Sequence, residues 1–132
     1  MTDEHPNITL LKRIDPRNIA GATDVLAEDV VFHYFNPFLP DIQGDYVGLA
    51  GLQAFFGKIA SLTRGTFKVN PVSTTLAGDE LVVVHSKNTM ILEGQQIETD
   101  VVVVWRFVDG RIAEVWDIPS VHGGLFSRGR VR

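Results

Sequence analysis

The sequence predicts an α+β domain, a meander of antiparallel strands with helices packed on one face. Three observations predict it. Helical spacing dominates the first half of the chain, around one strand-like run. Long β-branched runs fill the second half. Those runs are separated only by Gly78-Asp79, Glu93-Gly94 and Asp109-Gly110. Breaks that short join antiparallel neighbours, because a parallel crossover needs a dozen residues or more. A chain of 132 residues suits one domain, residues 1–132, with a core that needs neither disulfide nor metal.

Taken in order, NITLLKRI (7–14) predicts a short helix with Ile8, Leu11 and Ile14 roughly along one side. DPRNIAGATDVLAED (15–29) predicts a second. There Asp15 suits the N-cap and Pro16 the first helical position, where its missing N–H costs nothing. Ile14 and Ile19 form a hydrophobic staple across that start, and Ile19, Thr23 and Leu26 continue the stripe. VVFHYF (30–35) is β-branched and aromatic, hence a strand, and it stops at Asn36-Pro37. NPFLPDIQGDYVG (36–48) is punctuated by Pro and Gly and predicts a loop. Apolar residues at 49, 52, 55/56, 59 and 62 predict a core-facing helix over 48–63. Strands are then expected at 66–77, 80–92, 96–108 and 111–118.

Composition narrows the function. Formal net charge is −4, with 12 Lys+Arg against 16 Asp+Glu, which argues against a nucleic-acid binder. The basic tail, SRGRVR (127–132), reads as a frayed terminus. The absence of cysteine excludes disulfides, thiol chemistry and thiolate zinc sites, and leaves the cytoplasm as the default compartment. MTDEHPNITL lacks the basic and apolar regions of a signal peptide, and no apolar run is long enough to span a membrane. The four histidines (His5, His33, His85, His122) have no ligand spacing, so no metal is expected. No phosphate loop, dinucleotide fingerprint or nucleophile elbow is present, so no cofactor is expected either.

LVVV (81–84) and VVVV (101–104) are apolar on both strand faces. Such strands are usually covered on both sides. The helices of so short a chain cover only one, so the outer face predicts a two-fold homodimer.

Strand register decides which side chains face the helices. With Glu93-Gly94 as a two-residue turn, Leu92 pairs with Gln95 and Val84 with Val103. Val84, Ser86, Asn88 and Met90 then share a face with Val101, Val103, Trp105 and Phe107. His85 and Lys87 fall on the other. The next hairpin is ambiguous. A two-residue turn at Asp109-Gly110 pairs Val102 with Asp117 and turns Asp117 away from Trp105. A three-residue loop, Val108-Asp109-Gly110, with Gly110 left-handed and bulged, pairs Val101 with Asp117 and brings it to the Trp105 face. Asp-Gly suits both.

LAEDVVFHY, YVGLAGLQAFFGKI and VVVVWRFVDGRIAEVWDI, in this order and spacing, resemble the nuclear transport factor 2-like superfamily. The SnoaL-like polyketide cyclases and the ketosteroid isomerases are the most similar branches, over about residues 8–120. The resemblance implies a cone-shaped α+β barrel, a curved antiparallel sheet wrapped around a long helix and a deep apolar pocket, with a dimer formed through the outer sheet face. It also implies that Val103, Trp105, Val115 and Asp117 line the pocket, which selects the three-residue loop.

Carried over to this sequence, the isomerase chemistry fails. Its base, an aspartate before a proline after the first strand, falls at Asn36, and an amide cannot take a proton. Its oxyanion-stabilising acid falls at Val103, its second pocket tyrosine at Phe56, and its first helix holds no tyrosine here. The cyclases use an acid near the end of the last strand, and Asp117 resembles that residue. Walled by Trp105, Trp116 and valines, Asp117 is expected to have a raised pKa and to serve as general acid/base. Tyr34, by strand parity with Phe32 and Asn36, joins Asn36, Ser86 and Asn88 as polar company, and Phe55, Phe56 and Met90 complete an apolar small-molecule site. The expectation is acid/base catalysis, an isomerisation, cyclisation or dehydration, on a hydrophobic carbonyl or cyclic metabolite. The alternative is a non-catalytic dimeric module that binds a small ligand or only assembles.

Overall fold

The helix expected at 48–63 forms over Gly48–Thr63, and everything else is arranged around it. A computed structural model describes residues 4–120. In chain order these comprise α1 (Pro6–Leu11), a 3₁₀ segment (Ile19–Val25), β1 (Leu26–Tyr34), β2 (Gly44–Val47), α2 (Gly48–Thr63), β3 (Lys68–Ala77), β4 (Leu81–Leu92), β5 (Gln95–Val108) and β6 (Arg111–Pro119). The six strands form one curved sheet in the order β2-β1-β6-β5-β4-β3. Helix α2 packs against β1, β2 and β4 and fills the concavity.

The buried side of α2 is Leu52, Phe55, Ile59 and Thr63, a spacing of three and four residues that keeps one stripe toward the sheet. Leu62, expected on that stripe, is exposed, and Thr63 takes its place by donating its hydroxyl to the Ile59 carbonyl at 2.8 Å. Gly51 permits the close approach of α2 to β2, since a Cβ there would stand 2.9 Å from the Tyr46 backbone. The main core joins this stripe to Val30 and Phe32 of β1, Val82 of β4, Val101 of β5 and Ile112 of β6.

Four expectations are corrected. The helix expected over 15–29 is a turn followed by the 3₁₀ segment Ile19–Val25. Asp15 caps locally, accepting from the Arg17 N–H at 2.9 Å, but Ala22 has non-helical angles and β1 already begins at Leu26. The β-branched residues after Val25 pair with the sheet, and that pairing outweighs helix propensity. The loop expected over 36–48 contains β2, the edge strand paired antiparallel to β1. The sheet is mixed, because β1 pairs with β6 in parallel. Tight turns dictate only the pairing of strands adjacent in sequence, and β1 and β6 lie at opposite ends of the chain.

The fourth correction concerns the hairpins. At β4–β5 the expected two-residue turn forms: Leu92 pairs with Gln95, Val84 with Val103, and Glu93 and Gly94 have φ of 51° and 78°. At β5–β6 the turn also has two residues. Val108 pairs with Arg111, and Asp109 and Gly110 have φ of 52° and 78°, the double left-handed signature of a type I′ turn. The three-residue loop does not form. The register shifts one step later instead: Phe107 pairs with Ile112, but Arg106 pairs with Glu114, and Ala113 is the extra residue of a bulge. From there Trp105 pairs with Val115 and Val103 with Asp117.

Candidate functional site

The bulge at Ala113 reverses the alternation of β6, and so it aims Asp117 inward. Without it Asp117 would share the outer face with Arg111. With it Asp117 stands opposite Val103 on β5 and beside Tyr34 on β1, lining a cavity of about 440 Å³ between the sheet, α2 and α1. That volume is in the range of small-molecule sites. The Asp117 carbonyl also accepts from the Phe35 N–H at 3.3 Å, which ties β6 to the end of β1 at this level.

The carboxyl group of Asp117 has no hydrogen-bond or ion-pair partner among the described residues. Burial in apolar surroundings disfavours its ionised form and pushes its pKa up to about 7. Its neighbour Tyr34 is held differently. The Asn36 side-chain amide donates to the Tyr34 oxygen at 3.1 Å, and its own carbonyl accepts from the Phe38 N–H at 3.0 Å. The Asn36 backbone N–H donates to the Gln43 side chain at 2.8 Å. Asn36, 1 % exposed, is thus fixed on three sides. The Tyr34 oxygen already accepts, so its O–H is left to donate into the cavity. Burial keeps that phenol protonated, raising its pKa.

The wall across from this pair is aromatic. Phe55 lies 4.6 Å from Phe32 and 4.7 Å from Tyr34, ring centre to ring centre, and 5.1 Å from Phe56. Further along the sheet, Ser86 and Asn88 project into the same cavity, the serine hydroxyl donating to the asparagine carbonyl at 3.0 Å.

The structure brings together Tyr34, Asn36, Phe55, Phe56, Ser86, Asn88, Met90, Val103, Trp105 and Asp117 around one cavity. Val115 is not among its lining: it faces the same side but is completely buried in the core. Trp116 does not wall Asp117 either. It points to the outer face, where it stacks on His33 at 5.6 Å and carries the Arg106 guanidinium 5.3 Å above its ring. His33 faces outward as its alternation with Tyr34 requires, and bridges Asp45 of β2 at 2.7 Å and Glu114 of β6 at 2.6 Å. Sequence reasoning missed the contributions of α1 (Ile8, Leu11) and β3 (Val69, Pro71) to the cavity. Parity along β4 and β5 had already set Val84 and Val101 on this face, and both line the cavity; nothing local marks α1 or β3 as walls. The tail after Ser120, expected to fray, lies outside the described residues.

A curved sheet wrapped around one long helix is the nuclear transport factor 2-like fold. The model of the SnoaL-like domain matches residues 9–115, and the chain belongs to that family. Among solved structures it is similar to a protein from a soil-derived mobile gene cassette, with 22 % identity over 86 % of this chain and 88 % of that one and a TM-score of 0.77. It is also similar to TerC co-crystallised with polyporic acid, with 23 % identity over 88 % and 92 % and a TM-score of 0.75. A third is a nuclear transport factor 2-like protein of unknown function from Burkholderia pseudomallei, with 22 % identity over 89 % and 90 % and a TM-score of 0.74. At these identities the likeness is one of fold. No curated protein matches the sequence.

Proposed function

We propose that the chain is a general acid/base enzyme acting on an apolar carbonyl or cyclic metabolite. One observation carries the proposal: a carboxyl group with no partner among the described residues, its pKa near neutrality, opens onto an apolar cavity beside a tyrosine whose hydroxyl points there to donate. Asp117 takes a proton from a carbon next to the carbonyl. The electron pair of that C–H bond moves toward the carbonyl oxygen, and the Tyr34 hydroxyl stabilises the charge that develops there. Asp117, now protonated, returns the proton at another atom, or to a leaving hydroxyl. Phe55, Phe56, Met90, Val103 and Trp105 hold the substrate's apolar body and exclude water. In this reading Asn36 positions Tyr34 and does not itself transfer a proton.

The test is solvent exchange of the α-protons of 2-tetralone in D₂O, followed by NMR. Wild type should exchange them at least about 100-fold faster than Asp117→Asn, the span of a positioned general base. Equal rates in the two proteins would overturn the reading. The rival, a ligand-binding module without catalysis, is favoured by the fact that Asp117 is the only carboxylate among the described lining residues. It predicts binding of the ketone with no exchange.

A second copy covers the outer sheet face in this proposal. Val102 and Ile118, paired with each other on that face, are 38 % and 48 % exposed in the single chain. None of the described helices is long and apolar enough to cross a membrane. The cysteine-free composition supports the cytoplasm as the compartment.

A further inference from the structure

The cavity holds polar groups far from Asp117 that proton transfer does not use. Asn88 stands mid-strand on β4, level with Val69 and Thr99, and is only 5 % exposed. Ser86, at 1 % exposure, donates to its carbonyl oxygen at 3.0 Å and so fixes which way the amide turns. Its Nδ2 has no acceptor among the described residues. All fully buried side-chain polar atoms of the described residues are paired. The Nδ2 group therefore retains contact with open space, and the open space beside Asn88 is the cavity. A strand centre between Val84 and Met90 is a costly place for an amide donor unless something in the cavity accepts from it. Thr99, its neighbour across the strands, does not accept from it; the Thr99 hydroxyl is turned to donate to the Ser120 carbonyl at 3.1 Å.

The pairing places this donor relative to Asp117. Asp117 is level with Val103, and Val103 with Val84; Asn88 is four residues further along β4. At about 4.8 Å between strands and about 3.3 Å per residue, the two Cα atoms are about 16 Å apart along the sheet, and less across its concave face. The floor between them is Val101 and Val103.

We infer that Asn88, held by Ser86, is a second polar anchor, and that the substrate is an apolar molecule with an oxygen function at each end. One oxygen meets Tyr34 and Asp117; the other, on the order of 10 Å away, accepts from Asn88. The inference rests on Asp117 marking the reacting end. It also gives Asn88 a specificity role, because an acceptor lost from the far end leaves a buried donor unpaired.

Two phenols test it by calorimetric titration at pH 8: 4-phenylphenol, with one oxygen, and 4,4′-dihydroxybiphenyl, with one at each end of the same body. Wild type should bind the diphenol about tenfold more tightly, the worth of one good hydrogen bond. Asn88→Leu should erase that advantage and leave 4-phenylphenol affinity unchanged, which also reports that the variant is folded. Should Asn88→Leu fail to fold, Asn88→Val is read instead; its side chain can neither donate nor accept, so the advantage again disappears. Equal affinities in wild type, or an advantage that survives both substitutions, would overturn the anchor alone. If neither phenol binds wild type, the reading of the cavity falls with it.

Discussion

Ionising Asp117 works against the fold. Its carboxyl is pushed up to about 7 in the folded chain, whereas an unfolded aspartate titrates at about 3.9. Between those values the folded state holds more protons than the unfolded one, so stability is full below about pH 4 and falls as pH rises through about 7. The loss is on the order of 4 kcal/mol. Urea unfolding from pH 4 to pH 8 should therefore find a declining midpoint in wild type, and Asp117→Asn should flatten that decline and be the more stable protein at pH 8. Tyr34 presents the opposite case, a group whose oxygen is engaged as an acceptor. Tyr34→Phe removes the acceptor of the Asn36 amide at a site that is 1 % exposed, and should destabilise by about 1–3 kcal/mol. Denaturation of Tyr34→Phe against wild type checks this; an unchanged midpoint would mean that water replaces the phenol. At this scale much was legible. Strand parity placed Tyr34, Ser86 and Asn88 inward; for Asp117 parity left two registers open, and only the family resemblance chose the inward one. Parity could not reveal that Asn36 serves Tyr34, because that bond depends on the chain doubling back through Phe38 and Gln43.

Among the elements, β6 keeps its working register by bulging out Ala113. Deleting Ala113 should leave the pairs Arg106–Glu114 and Val103–Asp117 intact, and the Asp117 carboxyl should still titrate near 7 by ¹³C NMR. A value back in the ordinary carboxylate range would place the bulge elsewhere. The three-residue loop expected from the sequence had the right consequence and the wrong cause. Asp109-Gly110 satisfies a type I′ turn, and a bulge at an alanine carries no residue signature, since its angles need no glycine. The edge of the sheet has its own titration. Burial lowers the His33 pKa, but its hydrogen bonds to Glu114 and Asp45 outweigh that, and the net shift is upward. This support for β2 and β1 is present at acid pH and lost as pH rises through the raised value. In proton NMR, His33 should titrate above an ordinary histidine, and Glu114→Gln should bring it down. The failed helix at 15–29 belongs here too: local capping signals were present and honoured at Asp15, yet the residues from Leu26 onward had a sheet to join.

For the whole molecule, the apolar valine runs are the ground of the proposed dimer. Ile118→Lys combined with Val102→Lys puts two charges on the proposed contact and should convert a dimer to a monomer in sedimentation velocity while leaving the Asp117 titration in place. A wild type that sediments as a monomer would remove the dimer from the proposal. Composition, helical spacing and tight turns by themselves determined the α+β class, the extent of α2, the β4–β5 register and the inward faces of β4 and β5. These follow from neighbours in sequence, where period and turn geometry leave few choices. Only the tertiary structure decided the parallel joining of β1 to β6, the bulge at Ala113 and the closing of the cavity by α1 and β3. Each of these is settled by which distant segments bury apolar surface together, a free energy that no local window contains.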